Sequence, residues 1–150
     1  MANFSSSRSQ GTARILMVDD NSMGLMARKT VLEDQGYVVV SVGCPEEALT
    51  KLRTEHFDVL VSDYKMPSMS GIELIRQVRD IDRPVLAILL SGFAEPLGLD
   101  QNNTGADAVI QKNANEVPHL LSTLHTLLRV RRRPVKSERP PSTRPRRKSG

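Results

Sequence analysis

Five short apolar runs, separated by stretches of helical character, constrain the fold of this chain more than any other feature. The runs are continuous rather than alternating, which is typical of strands that are covered on both faces. They are Ile15 to Val18, Tyr37 to Val42, Val59 to Val61, Val85 to Leu90 and Ala108 to Ile110. Strands that alternate with helices form parallel βαβ units with right-handed crossovers. We therefore predict an α/β fold with a doubly wound, five-stranded parallel sheet and helices on both faces.

The segments between the runs predict helices of unequal quality. The last helix is the clearest, because Asn115 is suited to cap it and its apolar positions repeat at helical spacing. Those positions are Val117, Leu120, Leu121, Leu124 and Leu128. The fourth segment, AEPLGLDQNNTG, contains one Pro, two Gly and little apolar periodicity. We therefore predict that the fourth helix is short or frayed.

The basic charge of the chain is concentrated near its C-terminal end. Residues 129–150 contain ten Lys or Arg and one acidic residue, a net charge of +9, whereas the other residues contain 11 Lys or Arg and 16 Asp or Glu, a net charge of −5. The segment from residue 131 onward also has four prolines and no apolar stripe. We predict a disordered leader at 1–13, a folded domain at 14–130 and a basic disordered tail at 131–150.

Composition and hydropathy argue against several classes of protein. Aromatic residues make up 3% of the chain and Trp is absent, so stacking on nucleic acid bases is poorly supplied. The single cysteine, Cys44, cannot form an internal disulfide. No apolar run approaches the roughly 20 residues of a membrane helix, and the first residues lack the apolar stretch of a signal peptide. We expect a cytoplasmic protein with no membrane span.

Polar residues that carry chemistry follow four of the five runs. In a doubly wound sheet, sites form outside the carboxyl ends of the strands. Asp19, Asp20 and Asp63 would meet there, and such a cluster needs a cation to compensate its charge. Mg²⁺ prefers carboxylate oxygens and can bridge to a phosphoryl group. Asp63 could then act as a nucleophile in phosphoryl transfer, with the Ser91 hydroxyl and the Lys112 ammonium contacting the phosphoryl oxygens.

Four motifs occur in order with compatible spacing: ILMVDDN at 15–21, VLVSDYKMPSMSG at 59–71, LAILLSG at 86–92 and GADAVIQK at 105–112. From about Arg14 to Leu128 the chain resembles the receiver domains of response regulators, which are CheY-like. The resemblance implies a flavodoxin-like sheet with strand order 2-1-3-4-5. By position, it also implies that Asp63 is the phosphoacceptor, Asp20 a direct Mg²⁺ ligand and Asp19 a ligand that acts through water. Lys65 would contribute its backbone carbonyl to the metal.

The resemblance assigns two further residues and has three departures. Ser91 matches the hydroxyl that turns toward the phosphoryl group, and Lys112 matches the lysine that pairs with it. Val109 stands where many receivers have a Tyr or Phe that swings inward, so we expect the switch to be transmitted differently. Asn113 replaces a proline that commonly follows the lysine. Lys65 is a cation where smaller polar residues are common, and its side chain could alter metal affinity or phosphoryl lifetime.

The implied function is that of a stand-alone response regulator in a phosphorelay. Asp63 would accept a phosphoryl group from a histidine kinase or a phosphotransfer protein in a Mg²⁺-dependent reaction, and an unknown downstream protein would bind the activated form. Such a protein is a switch with self-catalysed transfer and slow autodephosphorylation, not a turnover enzyme. One alternative is a nucleic-acid-binding or anionic-surface adaptor that acts through the basic tail, with a vestigial receiver core. Another is a Mg²⁺-dependent phosphohydrolase, although a second acid/base group is not recognisable.

Overall fold

The protein was analysed as a computed structural model that describes residues 12–92 and 98–132. Most of the predicted leader and of the predicted basic tail lies outside the described residues. Ala13 is an exception, because it is buried although the sequence analysis placed it in the leader. Its carbonyl accepts a hydrogen bond from the Val38 amide at 3.0 Å. Ala13 is therefore part of the fold, since its backbone extends the pairing of β1 with β2.

Five parallel strands form one sheet in the order β2-β1-β3-β4-β5, as predicted. Their bounds are Arg14–Val18 for β1, Val38–Val42 for β2, Val59–Asp63 for β3, Leu86–Ser91 for β4 and Ala108–Gln111 for β5. In the register of the sheet, Val18 lies opposite Ser62, and Asp63 lies opposite Leu90. The carboxyl ends of β1, β3 and β4 are therefore level, which brings the polar residues there to one edge.

Among residues 12–92 and 98–132, five helices connect and cover the strands. Their bounds are Ser22–Asp34 for α1, Pro45–Thr54 for α2, Gly71–Arg79 for α3, Gln101–Thr104 for α4 and Glu116–Arg132 for α5. The fourth helix has only four residues, as the sequence predicted. An Asp100–Asn103 capping box starts it, and Gly105 ends it with a φ of 78° in the left-handed region.

Two apolar cores lie on opposite faces of the sheet, because successive strand residues point to opposite sides. Along β1, Leu16 and Val18 belong to the core under α2 and α3, whereas Ile15 and Met17 belong to the core under α1 and α5. The stripe predicted for the last helix packs as expected, since Leu120, Leu124 and Leu128 are buried in the second core. The continuous apolar runs thus follow from burial of the strands on both faces.

The last helix continues through Arg132, two residues beyond the predicted domain boundary at 130. Arg131 explains this extension. One of its nitrogens donates to the Asp58 carbonyl at 2.8 Å, and another donates to the Pro84 carbonyl at 2.9 Å. The basic residue is therefore part of the fold, although its sequence neighbours made it look like the start of a tail. Among the described residues, no helix is both long and apolar enough to cross a membrane.

Candidate functional site

Three carboxylates converge at the carboxyl edge of the sheet. Asp19 and Asp20 directly follow β1, and Asp63 is the last residue of the adjacent strand β3. One oxygen from each of the three carboxylates lies within 4.8 Å of the others. Asp19 and Asp63 are buried, with 3% and 6% of their surface exposed, whereas Asp20 is exposed to solvent. The cluster is thus rooted in the sheet and open on the side of Asp20.

Lys112 lies against two of these carboxylates. Its Nζ is 2.5 Å from Asp63 Oδ1 and 3.7 Å from Asp19 Oδ2. The backbone fixes its position, because the Lys112 amide donates to the Ser91 carbonyl at 2.9 Å directly after β5. Ser91 ends the adjacent strand β4 and is 1% exposed. The sequence-predicted residues Asp19, Asp63, Ser91 and Lys112 are therefore brought to one edge by four adjacent strands, β1, β3, β4 and β5.

Asp63 lies in an environment that disfavours its charged form. Burial raises the pKa of Asp63, and the negative charge of Asp19 adds to this effect. The hydrogen bond and the positive charge of Lys112 oppose the rise but do not cancel it, so the pKa stays above its usual value. An ionised Asp63 therefore gains from any additional cation at this edge. A hard divalent ion such as Mg²⁺ fits a set of three carboxylates with one open side.

Arg28 is a further residue of the site that the sequence analysis missed. It lies on α1, is 7% exposed, and donates from Nη1 to Asp19 Oδ2 at 2.9 Å. Its Nε donates to Glu116 Oε2 at 2.7 Å, at the start of α5. Although burial works to lower the pKa of Arg28, the hydrogen bonds and charges of Glu116 and Asp19 outweigh it and raise the pKa.

A signal for Arg28 was present in the sequence. The residue falls three positions after Leu25 and four before Leu32, both of which are buried, so it continues the apolar stripe of α1. A cation in such a stripe needs a buried anionic partner. The partner Asp19 is nine residues away, whereas Glu116 is 88 residues away and becomes a neighbour only when α1 and α5 pack side by side.

Asp19 already uses both of its carboxylate oxygens within the protein. Oδ1 accepts a hydrogen bond from the Asn21 amide at 2.9 Å, and Oδ2 accepts the bond from Arg28. Asn21 in turn caps α1, since its side chain accepts hydrogen bonds from the Met23 and Gly24 amides. The Asp19 side chain is therefore held by the start of α1 and by a buried arginine.

The loop after Asp63 is tightly closed. The Tyr64 amide donates to the Leu90 carbonyl, and the Gly71 amide donates to the Tyr64 carbonyl, both at 2.8 Å. Gly71 is needed for this closure, because a Cβ at that position would lie 2.4 Å from the Asp63 carbonyl oxygen. Met66 is buried and anchors the loop, while Lys65 is exposed. The loop thus fixes the backbone that carries Asp63.

Two of the three positions that depart from the receiver pattern, Val109 and Asn113, lie on the side of the fifth strand. Val109 is partly buried and lines an open groove of about 610 Å³ with Leu99, Asn113 and His119. Among the described residues no peptide bond is cis, so the bond that precedes Asn113 is trans. An aliphatic side chain therefore occupies the wall of this groove.

Comparison with known proteins identifies the family. The model of the family described as "Response regulator receiver domain" matches residues 15–125. The response regulator receiver protein CpdR of Brucella abortus is 31% identical over 116 residues, which are 77% of this chain and 96% of CpdR. Other relatives are much longer: the sensor histidine kinase GacS of Pseudomonas protegens is 39% identical over 66 residues, and the match spans only 7% of its length.

Solved structures agree with this assignment. A CheY-like receiver domain protein from Methanospirillum hungatei is 33% identical with a TM-score of 0.71, and the match covers 79% of this chain and 95% of that one. The response regulator TrrA from Thermotoga maritima, solved in complex with Mg(2+)-BeF, is 28% identical with a TM-score of 0.70 and coverages of 77% and 99%.

Receiver domains act in the phosphorelay signalling of two-component systems, where histidine kinases phosphorylate them, and they bind Mg²⁺ in an acidic pocket. They are signalling domains rather than classical enzymes. The family match covers most of the described residues, and the sheet order and the acidic cluster are those the motifs predicted. The chain belongs to the family of response regulator receiver domains.

Proposed function

We propose that this protein is a phosphorelay switch in which Asp63 accepts a phosphoryl group from a histidine kinase or a phosphotransfer protein. The observation that carries the proposal is the placement of Asp63 beside Asp19, Asp20 and the Lys112 ammonium. A carboxylate whose charge is disfavoured by burial, and which faces two cation-binding carboxylates and a lysine, is suited to a reaction in which a metal neutralises the incoming charge.

The residues would share the reaction as follows. Asp20 and Asp63 would bind Mg²⁺ directly with the Lys65 carbonyl, and Asp19 would act through water because its oxygens are already hydrogen-bonded. Mg²⁺, when bound, supplies positive charge next to the transferring phosphoryl oxygens. Asp63 would attack the phosphorus as the bond from phosphorus to the donor nitrogen breaks. Lys112 would hold the attacking carboxylate in place and then pair with the phosphoryl group, and the Ser91 hydroxyl would contact another phosphoryl oxygen.

A switch of this kind changes the conformational equilibrium of the edge that carries it. Phosphorylation adds negative charge beside Lys112 and Ser91, so it favours the conformation in which both residues contact the phosphoryl group. Slow hydrolysis of the aspartyl phosphate would reset the switch, which makes the protein a phosphoacceptor rather than a turnover enzyme. With Val109 on the groove wall, a downstream partner would recognise something other than a swinging aromatic ring.

Intact-protein mass spectrometry tests the assignment. The protein is incubated with a small phosphoryl donor and Mg²⁺, and the wild type is compared with Asp63→Asn and with Asp82→Asn, a control at an exposed aspartate near the opposite edge. We expect one phosphoryl group on the wild type and on Asp82→Asn, and none on Asp63→Asn. Equal labelling of Asp63→Asn and the wild type would refute the proposal.

A further inference from the structure

Arg28 connects the acidic site with the start of the last helix. It bridges Asp19 Oδ2 at 2.9 Å and Glu116 Oε2 at 2.7 Å, and its side chain is 9% exposed. Gly24, one turn earlier on α1, lies beside the guanidinium, since a Cβ on Gly24 would be in ordinary contact with Arg28 Nη1 at 3.4 Å. The guanidinium is thus enclosed between two carboxylates.

Two cationic side chains of the protein offset part of the charge of the acidic cluster. Lys112 pairs with Asp63, and Arg28 pairs with Asp19. Opposite charges close to a carboxylate reduce the attraction that it exerts on a further cation, and this effect is large for buried pairs because solvent screens them little. Arg28 also donates to the Asp19 oxygen that lies on the side of Lys112, so the charge of that oxygen is already shared with a cation.

We propose that Arg28 is a positioning residue that weakens Mg²⁺ binding by acting as an internal counter-ion of Asp19, and that Glu116 limits this effect by sharing the guanidinium. The inference rests on the proposed metal site. Two consequences follow from the geometry. Removal of Arg28 tightens Mg²⁺ binding, since Asp19 regains its full charge. Removal of the Glu116 charge weakens Mg²⁺ binding, since the guanidinium then interacts with Asp19 alone.

Titration calorimetry with MgCl₂ tests the proposal on the full chain. Coupling between two sites of a protein commonly changes binding affinity about 5- to 150-fold. We expect Arg28→Met to lower the Mg²⁺ dissociation constant about tenfold, and Glu116→Gln to raise it. In the Arg28→Met background, Glu116→Gln should have little effect, because Glu116 acts through the guanidinium. Arg28→Lys, which keeps the charge beside Asp19, should stay close to the wild type.

A matched control separates this role from a structural one. Arg79 makes three hydrogen bonds, to Val85, Gly105 and Asp107, at the opposite edge of the sheet, whereas Arg28 makes two. Arg79→Met should lower the denaturation midpoint without changing the Mg²⁺ dissociation constant. If Arg28→Met behaves in the same way, Arg28 is only structural and the inference is wrong. If Arg28→Met does not fold, Glu116→Gln still tests the proposal. An unchanged or lower Mg²⁺ dissociation constant in Glu116→Gln would also overturn the proposed role of Arg28.

The variant Asp20→Asn tests the proposed metal site separately from the proposed role of Arg28. If Asp20→Asn binds Mg²⁺ as the wild type does, the proposed metal site is wrong, and the inference about Arg28 falls with it. If Mg²⁺ binding requires Asp20 but does not tighten in Arg28→Met, the metal site stands and only the role of Arg28 is overturned.

Discussion

The substitution Gly71→Ala tests how closely the loop after β3 packs against the backbone of Asp63, the proposed phosphoacceptor. An added Cβ would lie 2.4 Å from the Asp63 carbonyl oxygen, 2.6 Å from Leu89 Cδ1 and 3.1 Å from Ser62 Oγ. Real Cβ atoms essentially never come within 3.0 Å of such neighbours, so the start of α3 and the backbone of Asp63 have to move apart. The Asp63 side chain, the proposed phosphoacceptor, would then change its position relative to Lys112.

The expected magnitude combines two opposing effects. Overpacking of a closely packed site costs roughly 1–3 kcal/mol. Replacing Gly by Ala at the start of a helix stabilises the folded state by about 0.5–1 kcal/mol, because the unfolded chain has less conformational freedom and alanine favours the helix. We therefore expect Gly71→Ala to lower the free energy of unfolding by about 1–2 kcal/mol. Its labelling by a small phosphoryl donor should slow as well, because Asp63 and Lys112 no longer align.

Urea denaturation without Mg²⁺, followed by circular dichroism, measures the loss in the free energy of unfolding. The matched control is Gly43→Ala. A Cβ on Gly43 meets nothing within 4 Å, so the same chemical change there should leave the stability unchanged or raise it by up to about 1 kcal/mol. The slope of the free energy of unfolding against urea concentration should be the same for the wild type, Gly71→Ala and Gly43→Ala. If Gly71→Ala is as stable as Gly43→Ala and labels at the wild-type rate, the steric reasoning is refuted.

Three further predictions concern the site and its supports. Because the pKa of Asp63 is raised, its contribution to stability is present at acidic pH and is lost as the pH rises through the folded-state pKa. In urea titrations without Mg²⁺, Asp63→Asn should therefore lose less stability than the wild type between about pH 4 and pH 7. A steeper loss in Asp63→Asn would contradict this. Asn21→Ala removes the cap of α1 and should lower the free energy of unfolding by about 1 kcal/mol, whereas Ser22→Ala, next to it, should change little. Truncation after residue 130 should destabilise the protein by about 1–3 kcal/mol relative to truncation after residue 132, because the shorter protein loses the two hydrogen bonds from Arg131 to backbone carbonyls. Equal midpoints of thermal unfolding for the two truncated proteins would show that Arg131 does not stabilise the fold.

Local patterns in the sequence were sufficient for the sheet and for the position of the site. Continuous apolar runs indicate strands buried on both faces, and the helical stripes between them indicate the covering layers, so the parallel architecture was predictable before any contact was known. Strand ends are also local features, which is why Asp19, Asp63 and Lys112 could be placed at one edge. The resemblance to receivers supplied the strand order, and the roles of the individual site residues remain predictions.

The inclusion of Ala13 and Arg131 in the fold, and the partners of the charged residues, depended on the tertiary structure. Ala13 and Arg131 looked like flanking residues from their neighbours in sequence, yet each makes contacts with segments far along the chain. Arg28 and Glu116 are 88 residues apart, and neither residue indicates the other in the sequence. A hydrophobic stripe is encoded within one helix, whereas an ion pair between helices exists only once the packing of α1 beside α5 has set the distance between the charges.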